Sequence, residues 1–294
     1  MLVLLNPQAR GGRARRLEPL LRAAVAVQAP QAMVAAPGSV ADALALLHAQ
    51  PRGGRVVLAG GDGTLHQMLP ALLARELELG LIPAGSGDDS ARAFGLRGWP
   101  WPRALAQALS APAVAVDVGE VITPQETRPF VSSLGAGFDA AVAQRALQGP
   151  AWLRGMPRYL LATLREVAHL RRFSLRVSVD GQLLHEGDTL FASTLNTPSY
   201  GGGMPAVPAA RFDDGRLDLL LAGRFDRVGT LLMLPRLLTG HHLGHPEVQC
   251  RSFTRLCIEA DVPLPLAADG EAMAAASRVE VRVLPRALKV VVAG

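Results

Sequence analysis

Val56-Val57-Leu58-Ala59-Gly60-Gly61-Asp62-Gly63-Thr64 is the stretch that decides the fold. A branched apolar run enters a glycine-rich turn around one aspartate. A threonine then opens an apolar helical pattern through Leu65, Met68, Leu69, Leu72 and Leu73. A buried strand, a tight turn and a helix start together form a phosphate cradle: glycine lets the backbone approach an anion, and the helix terminus points N–H groups at it.

Outward from this stretch, apolar runs alternate with helical patterns up to about Val118. Leu2–Leu5, Met33–Ala35, Arg55–Ala59 and Leu79–Pro83 read as strands. Helices are expected over Arg13–Val27, through Ala43, Leu46 and Leu47, after Thr64, and near Arg103–Leu109. Strands spaced by helices predict a parallel α/β sheet, in which ligands sit beyond the carboxyl ends of the strands. Two further loops leave strands with suitable chemistry, Asn6–Gly12 and Gly85-Ser86-Gly87-Asp88-Asp89. From about Gly119 the texture changes to period-two alternation, as in Phe173, Leu175, Val177 and Val179 ahead of an Asp180-Gly181 hairpin turn. This half reads as a mostly antiparallel β domain, a sandwich with one or two helices. One of these, over Leu153–Arg172, lines up Arg154, Arg158, Arg165, His169 and Arg172 on one stripe. That stripe is either a solvated face or a surface for anionic lipid.

The chain has 294 residues, 49% hydrophobic and 19% charged, enough for two domains with sizeable cores. Its formal charge is +5, and Lys289 is the only lysine. A Walker phosphate loop and a protein-kinase strand lysine are therefore excluded. The two cysteines, Cys250 and Cys257, are too few for a disulfide framework. Aromatic residues make up 4% and do not interleave with arginines, so no nucleic-acid partner is expected. The apolar run at the N-terminus reads as a strand, no membrane span is predicted, and a cytoplasmic protein is expected. Asp213-Asp214-Gly215-Arg216-Leu217-Asp218 offers hard oxygen ligands or a plain acidic turn. His241, His242, His245, Cys250 and Cys257 match no usual zinc spacing.

In chain order, Leu5-Asn6-Pro7, Gly60–Thr64, Leu79–Asp89, Asp117-Val118-Gly119, Gly135-Ala136-Gly137-Phe138-Asp139, Tyr200–Gly203, Asp213–Asp218 and Asp269-Gly270-Glu271 span almost the whole sequence. Together they resemble the bacterial diacylglycerol kinase-like lipid kinases, of the diacylglycerol and sphingosine kinase catalytic-domain family. The first cradle alone is shared with NAD kinases; the later glycine and acidic elements make the resemblance specific. It implies an α/β ATP-binding domain over 1–118, to which 285–294 return, and a β-sandwich acceptor domain over 119–284.

The resemblance implies that ATP phosphates lie on Gly60, Gly61, Asp62, Gly63 and Thr64, with Asn6, His66 and Ser86 nearby. Glu271 takes the place of the general base, and Asp62 positions a catalytic Mg²⁺ or its water. A structural Mg²⁺ is implied at the Asp214 carboxylate and at backbone carbonyls around Arg211 and Arg216. Phosphate charge is left to metal, backbone N–H groups and arginines such as Arg10 or Arg13. Two positions depart from the family pattern: Asp88 stands where asparagine is usual, and so does His66. The implied reaction is ATP-dependent phosphorylation of a lipid hydroxyl, most readily that of diacylglycerol. The alternatives are another alcohol acceptor (phosphatidylglycerol, a sphingoid base or a non-lipid) and a nucleotide-binding regulator without transfer. Peripheral contact with an anionic membrane at its inner face, and a homodimer, are further expectations.

Overall fold

In the computed structural model, which describes every residue except Arg10, Ser86, Ala151 and Arg154, the apolar runs of the first third become parallel strands. β1 (Leu2–Leu5), β2 (Met33–Ala35), β3 (Arg55–Gly60) and β4 (Glu78–Pro83) lie in the order β2-β1-β3-β4. Every neighbouring pair is parallel. β1 and β3 are buried nearly end to end. Such strands read as continuous apolar runs because a parallel sheet is covered on both faces.

The connecting helices are α1 (Glu18–Gln28), α2 (Val40–His48), α3 (Asp62–Ala74), α4 (Asp89–Ala93) and α5 (Trp101–Ser110). The helix expected over Arg13–Val27 divides. Arg13–Leu17 is a 3₁₀ turn, and α1 starts at Glu18 with Pro19 in its first turn, where a missing N–H costs nothing. Leu21 and Val25 of α1 and Leu105 of α5 pack with Val3, Leu5, Val57 and Ile82 of the sheet.

The chain forms two compact units, Met1–Val116 with Arg286–Gly294, and Asp117–Pro285. The second contains β5 (Val114–Ile122, beginning in residues of the first unit), β6 (Thr127–Phe130), β7 (Ser133–Ala136), α6 (Phe138–Leu147) and α7 (Met156–Ala168). It continues with β8 (Phe173–Val179), β9 (Gln182–Thr189), β10 (Phe191–Leu195), β11 (Leu217–Ala222) and α8 (Arg227–Leu238). β12 (Val248–Phe253), β13 (Arg255–Ala268) and β14 (Glu271–Val290) complete it. Its strands run β12-β11-β10-β7-β13-β14, antiparallel throughout, with the β8–β9 hairpin on β13 and β5–β6 on β14. The last residues of β14 belong to the first unit, where Lys289 and Val290 pair in parallel with Glu78 and Leu79. Gln107 of α5 donates its Nε2 to the Val292 carbonyl at 2.8 Å. The fold is thus a parallel α/β unit followed by a β-sandwich-like unit.

The second half differs from expectation in its helices. Among the described residues it carries three, and α6 buries Ala140, Ala143 and Ala146 along with Phe138 and Val142, so most of its inward face is alanine. α7 is shorter than Leu153–Arg172, which breaks up the arginine stripe. Partly buried Arg158 donates to the Leu147 and Gly149 carbonyls, both at 2.9 Å. Arg171 and Arg172 lie beyond the helix end, and Arg154 falls outside the described residues. A zinc site is likewise not formed. His242 is buried against the Ala206 carbonyl at 2.7 Å, and both cysteines are free. Among the described residues no group of three or more His, Cys, Asp or Glu side chains is placed to hold a metal.

Gly119 pairs with Phe130 across β5 and β6, and a Cβ at Gly119 would lie 2.1 Å from Cζ of the Phe130 ring. That ring is fully buried with Val121, Leu134, Leu256 and Val281. Gly119→Val should therefore cost about 1–3 kcal/mol through overpacking, measured as a lower urea midpoint. An unchanged midpoint would show that the ring can move aside freely.

Candidate active site

In the first unit, β3 ends at Gly60, Gly61 stands in extended backbone as the N-cap, and α3 begins at Asp62. The N–H groups of Thr64 and Leu65 return to the Gly61 carbonyl at 3.0 and 3.1 Å. The amides of Asp62 and Gly63 precede them, in the first turn, where a helix has donors without internal partners and the positive end of its dipole. Both glycines ahead of the helix are needed for space. A Cβ on Gly60 would lie 2.7 Å from Thr64 Cβ, and one on Gly61 would lie 2.6 Å from Gly85 Cα. The cradle and the third loop thus touch backbone to backbone.

Asn6, just past β1, joins the same place. Its Nδ2 donates to Thr64 Oγ1 at 2.8 Å, its Oδ1 accepts from Gln8 N at 2.9 Å, and its N–H donates to the Ala59 carbonyl. Because the Thr64 oxygen accepts from Asn6, the hydroxyl proton is available to an anion. Three strand-end loops therefore meet, as the sequence predicts. His66 is buried within α3, and Ser86 lies outside the described residues.

Asp62 does more than sit beside the cradle. Its two carboxylate oxygens accept from Asp89 N at 3.0 Å and Ser90 N at 2.9 Å, tying the cradle to the start of α4. Asp88 takes the left-handed conformation (φ 54°), which asparagine and aspartate tolerate better than most residues. Its Oδ1 accepts from Gly85 N at 2.9 Å. Either residue type can make that bond, so aspartate keeps the loop closed while adding a charge. Gly61, Asp62, Asp88 and Ser90 line a narrow depression at this point.

In the second unit, Asp269-Gly270 forms the two-residue turn between β13 and β14, with φ of 49° and 82°. The Asp269 carboxylate accepts from three successive amides: Val131 N at 3.0 Å, Ser132 N at 2.7 Å and Ser133 N at 3.2 Å. Its own N–H donates to the Ser133 carbonyl at 2.8 Å. Glu271, half-buried, is the first residue after this anchored turn and pairs with Ala268. The sequence marks Asp269-Gly270 as a turn; only the structure shows that its aspartate fixes the position of Glu271.

Around Asp213–Asp218, exposed Asp214 accepts from Arg216 N at 3.0 Å, and Arg211 pairs with Asp213 at 3.1 Å. Asp117, fully buried on β5, accepts from Gly215 N at 2.6 Å and holds the turn from beneath. Burial, and next the charge of Asp214, push the Asp218 carboxyl above its ordinary range. A surplus of negative charge of this kind suits a hard cation. With one exposed carboxylate and backbone carbonyls as ligands, waters would have to complete a Mg²⁺ shell.

Residues 1–121 match the family model described as the diacylglycerol kinase catalytic domain. Residues 132–292 match the one described as the YegS C-terminal NAD kinase beta sandwich-like domain. A diacylglycerol kinase of Mycobacterium tuberculosis is 33% identical over 257 residues, 86% of this chain and 82% of that protein. The chain belongs to the diacylglycerol kinase family of lipid kinases. A diacylglycerol kinase of Bacillus subtilis is 26% identical over 218 residues, 74% of this chain and 70% of its own. A crystal structure of a diacylglycerol kinase from Bacillus anthracis str. Sterne shares the fold, with a TM-score of 0.77 at 20% identity, over 99% of this chain and 96% of that one.

This lipid kinase also has a titratable cluster, where the motif stretch ending in Asp139 meets the one beginning at Tyr200. Asp139, in the first turn of α6, accepts from Ser193 Oγ and from Ala140 N at 2.8 Å. Burial pushes its carboxyl up to about 6, against the lowering effect of those bonds. Tyr200 is pushed up as well, first by burial and then by Asp139 and Tyr159. The folded protein holds the Asp139 proton more tightly than the unfolded chain does. The stability it contributes is complete below about pH 4 and lost as pH rises through about 6. Asp139→Asn should then raise Tm relative to wild type by roughly 2–4 °C at about pH 8, a gain that vanishes near pH 4. A Tm difference that is constant across this range would contradict the assignment.

Proposed function

We propose that this lipid kinase transfers the γ-phosphate of ATP to the hydroxyl of diacylglycerol or a related glycerolipid. The observation that carries the reading is the meeting of Asn6, Gly60–Thr64 and the loop residues Gly85, Asp88 and Asp89, with amide donors and an oriented threonine hydroxyl at one helix start. That is polyphosphate chemistry. Diacylglycerol as acceptor is favoured by the names of the relatives.

Phosphoryl transfer passes through a loose transition state, so positioning and charge neutralisation supply most of the rate. The backbone amides of the cradle hold phosphate oxygens, and the Thr64 hydroxyl donates a further bond. Asp62 keeps the third loop against the cradle and has lone pairs left for the water shell of a metal ion. Glu271 accepts the proton of the attacking hydroxyl, its backbone fixed by the Asp269 anchor. Lys289 lies in strand β14 beside Glu78, so the cationic partners of phosphate are arginines such as exposed Arg13. Mg²⁺, when bound, supplies neutralising charge. A structural ion is assigned to Asp214 with the carbonyls of Arg211 and Arg216, beside the bond that Gly215 N donates to Asp117. The enzyme is assigned to the cytoplasm, at the inner face of the membrane where its acceptor lies.

With γ-labelled ATP, Mg²⁺ and a lipid panel in mixed micelles, wild type should label diacylglycerol. Glu271→Gln should lower kcat by about 10²–10⁴-fold while leaving ATP binding intact. Label confined to phosphatidylglycerol or a sphingoid base would reassign the acceptor. ATP binding without transfer to any acceptor would turn the reading to a regulator.

The structural ion has its own test. Mg²⁺ at about a hundred times its Kd should stabilise wild type by about 2.7 kcal/mol, seen as a rise in Tm. Asp214→Asn should abolish that rise, and an equal rise in both proteins would remove the ion from this turn.

A further inference from the structure

Helix α8 has apolar residues on every side. Thr230 is buried, Met233 packs against the cluster of Phe138, Val142 and Phe225, and Leu237 against that of Ala206, Val207 and Leu220. The opposite side is apolar too. Val228 is 63% exposed, Leu231 40%, Leu232 69% and Leu238 38%, with exposed Pro235 among them. At about 100° per residue these positions form one outward stripe. A helix that is hydrophobic all round belongs in a core or against lipid, yet this one lies at the surface of its unit. Other exposed large apolar side chains, such as Val27 and Val40, are spread over separate elements.

The charges beside the stripe select the occupant. On the same helical projection Arg227 falls at one border and Arg236 at the other. Exposed Arg224 precedes the helix. Between Asp226 and Glu247 the sequence has no acidic residue. Those two carboxylates are engaged with backbone, Asp226 capping Gly229 N at 2.7 Å and Glu247 accepting from Arg224 N at 2.8 Å. Arg224, Arg227 and Arg236 have no acidic partner among the described residues. With 12 residues α8 is too short to span a bilayer, and among the described residues no helix is long and apolar enough to cross one.

We propose that α8 is a membrane-docking helix, lying in the interface of an anionic bilayer with Val228, Leu231, Leu232 and Leu238 below the headgroups. Arg227 and Arg236 flank it at headgroup level. The proposal rests on the reading that the acceptor is a membrane lipid. It replaces the arginine stripe of α7 with a surface on which apolar insertion and cationic borders coincide.

The full chain should co-sediment with vesicles of equimolar phosphatidylglycerol and phosphatidylcholine. Leu231→Asp/Leu232→Asp should weaken that binding by about tenfold or more with an unchanged melting curve, since both side chains already face solvent. Arg227→Gln/Arg236→Gln should weaken binding to the anionic vesicles by about tenfold and leave binding to pure phosphatidylcholine unaltered. On a water-soluble short-chain diacylglycerol the leucine variant should match wild type, while on vesicle-borne substrate it should be slower. Wild type that ignores vesicles, or a leucine variant that binds them equally well, would overturn the proposal. So would light scattering showing a wild-type dimer that the leucine variant dissociates, because the stripe would then be a contact between copies. If no acceptor is phosphorylated by any form, the lipid-acceptor reading fails, and the sedimentation result still decides the role of α8.

Discussion

The contact between Gly61 and Gly85 is the constraint on which the candidate site depends. No side chain fits between these two backbones, and the Asp62 carboxylate holds them together by accepting two amides from the start of α4. The same acid that marks the cradle in the sequence is thereby a structural clamp. A phosphate-binding turn is useful only if its amides are held still before the anion arrives, because preorganised dipoles do not have to be reoriented at the moment of reaction. Here that stillness comes from a carboxylate satisfied by backbone, with Asn6 steadying the Thr64 hydroxyl from the other side.

The second unit repeats this device with different parts. Asp269 accepts three consecutive amides from the loop before β7, and buried Asp117 holds the Gly215 amide. In both cases an aspartate holds a glycine-containing turn next to another carboxylate, Glu271 or Asp214. Carboxylates that accept backbone N–H groups are strong, short-range anchors. They explain why the acidic motifs of this chain occur beside glycines rather than alone.

Much of this arrangement was legible in the sequence. Parallel strands announce themselves as apolar runs, and glycine-rich exits from several of them imply one common site. Strand β8 and the Asp180-Gly181 turn follow from alternation alone. What stayed hidden has physical reasons. The alanine-lined face of α6 carries too little hydrophobic contrast to register as a period. The end of α7 near His169 is marked by no proline or glycine. Asp139 acquires its raised carboxyl only through burial in the folded unit, which outweighs the bond from distant Ser193 and which no local pattern announces. The outward apolar stripe of α8 also escapes, because an all-round apolar helix looks like core until its exposure is known.

The pairing of Lys289 and Val290 with β4 has a consequence for how the chain is made. The first unit is nearly complete by Val116, yet its last parallel strand is encoded some 170 residues later, after the whole second unit. During synthesis β4 must wait as an unpaired edge, a template open to any other strand. Closing the sheet joins residues far apart in sequence, the slow kind of contact in folding. The first unit of this enzyme therefore closes its sheet last, although most of it is translated first.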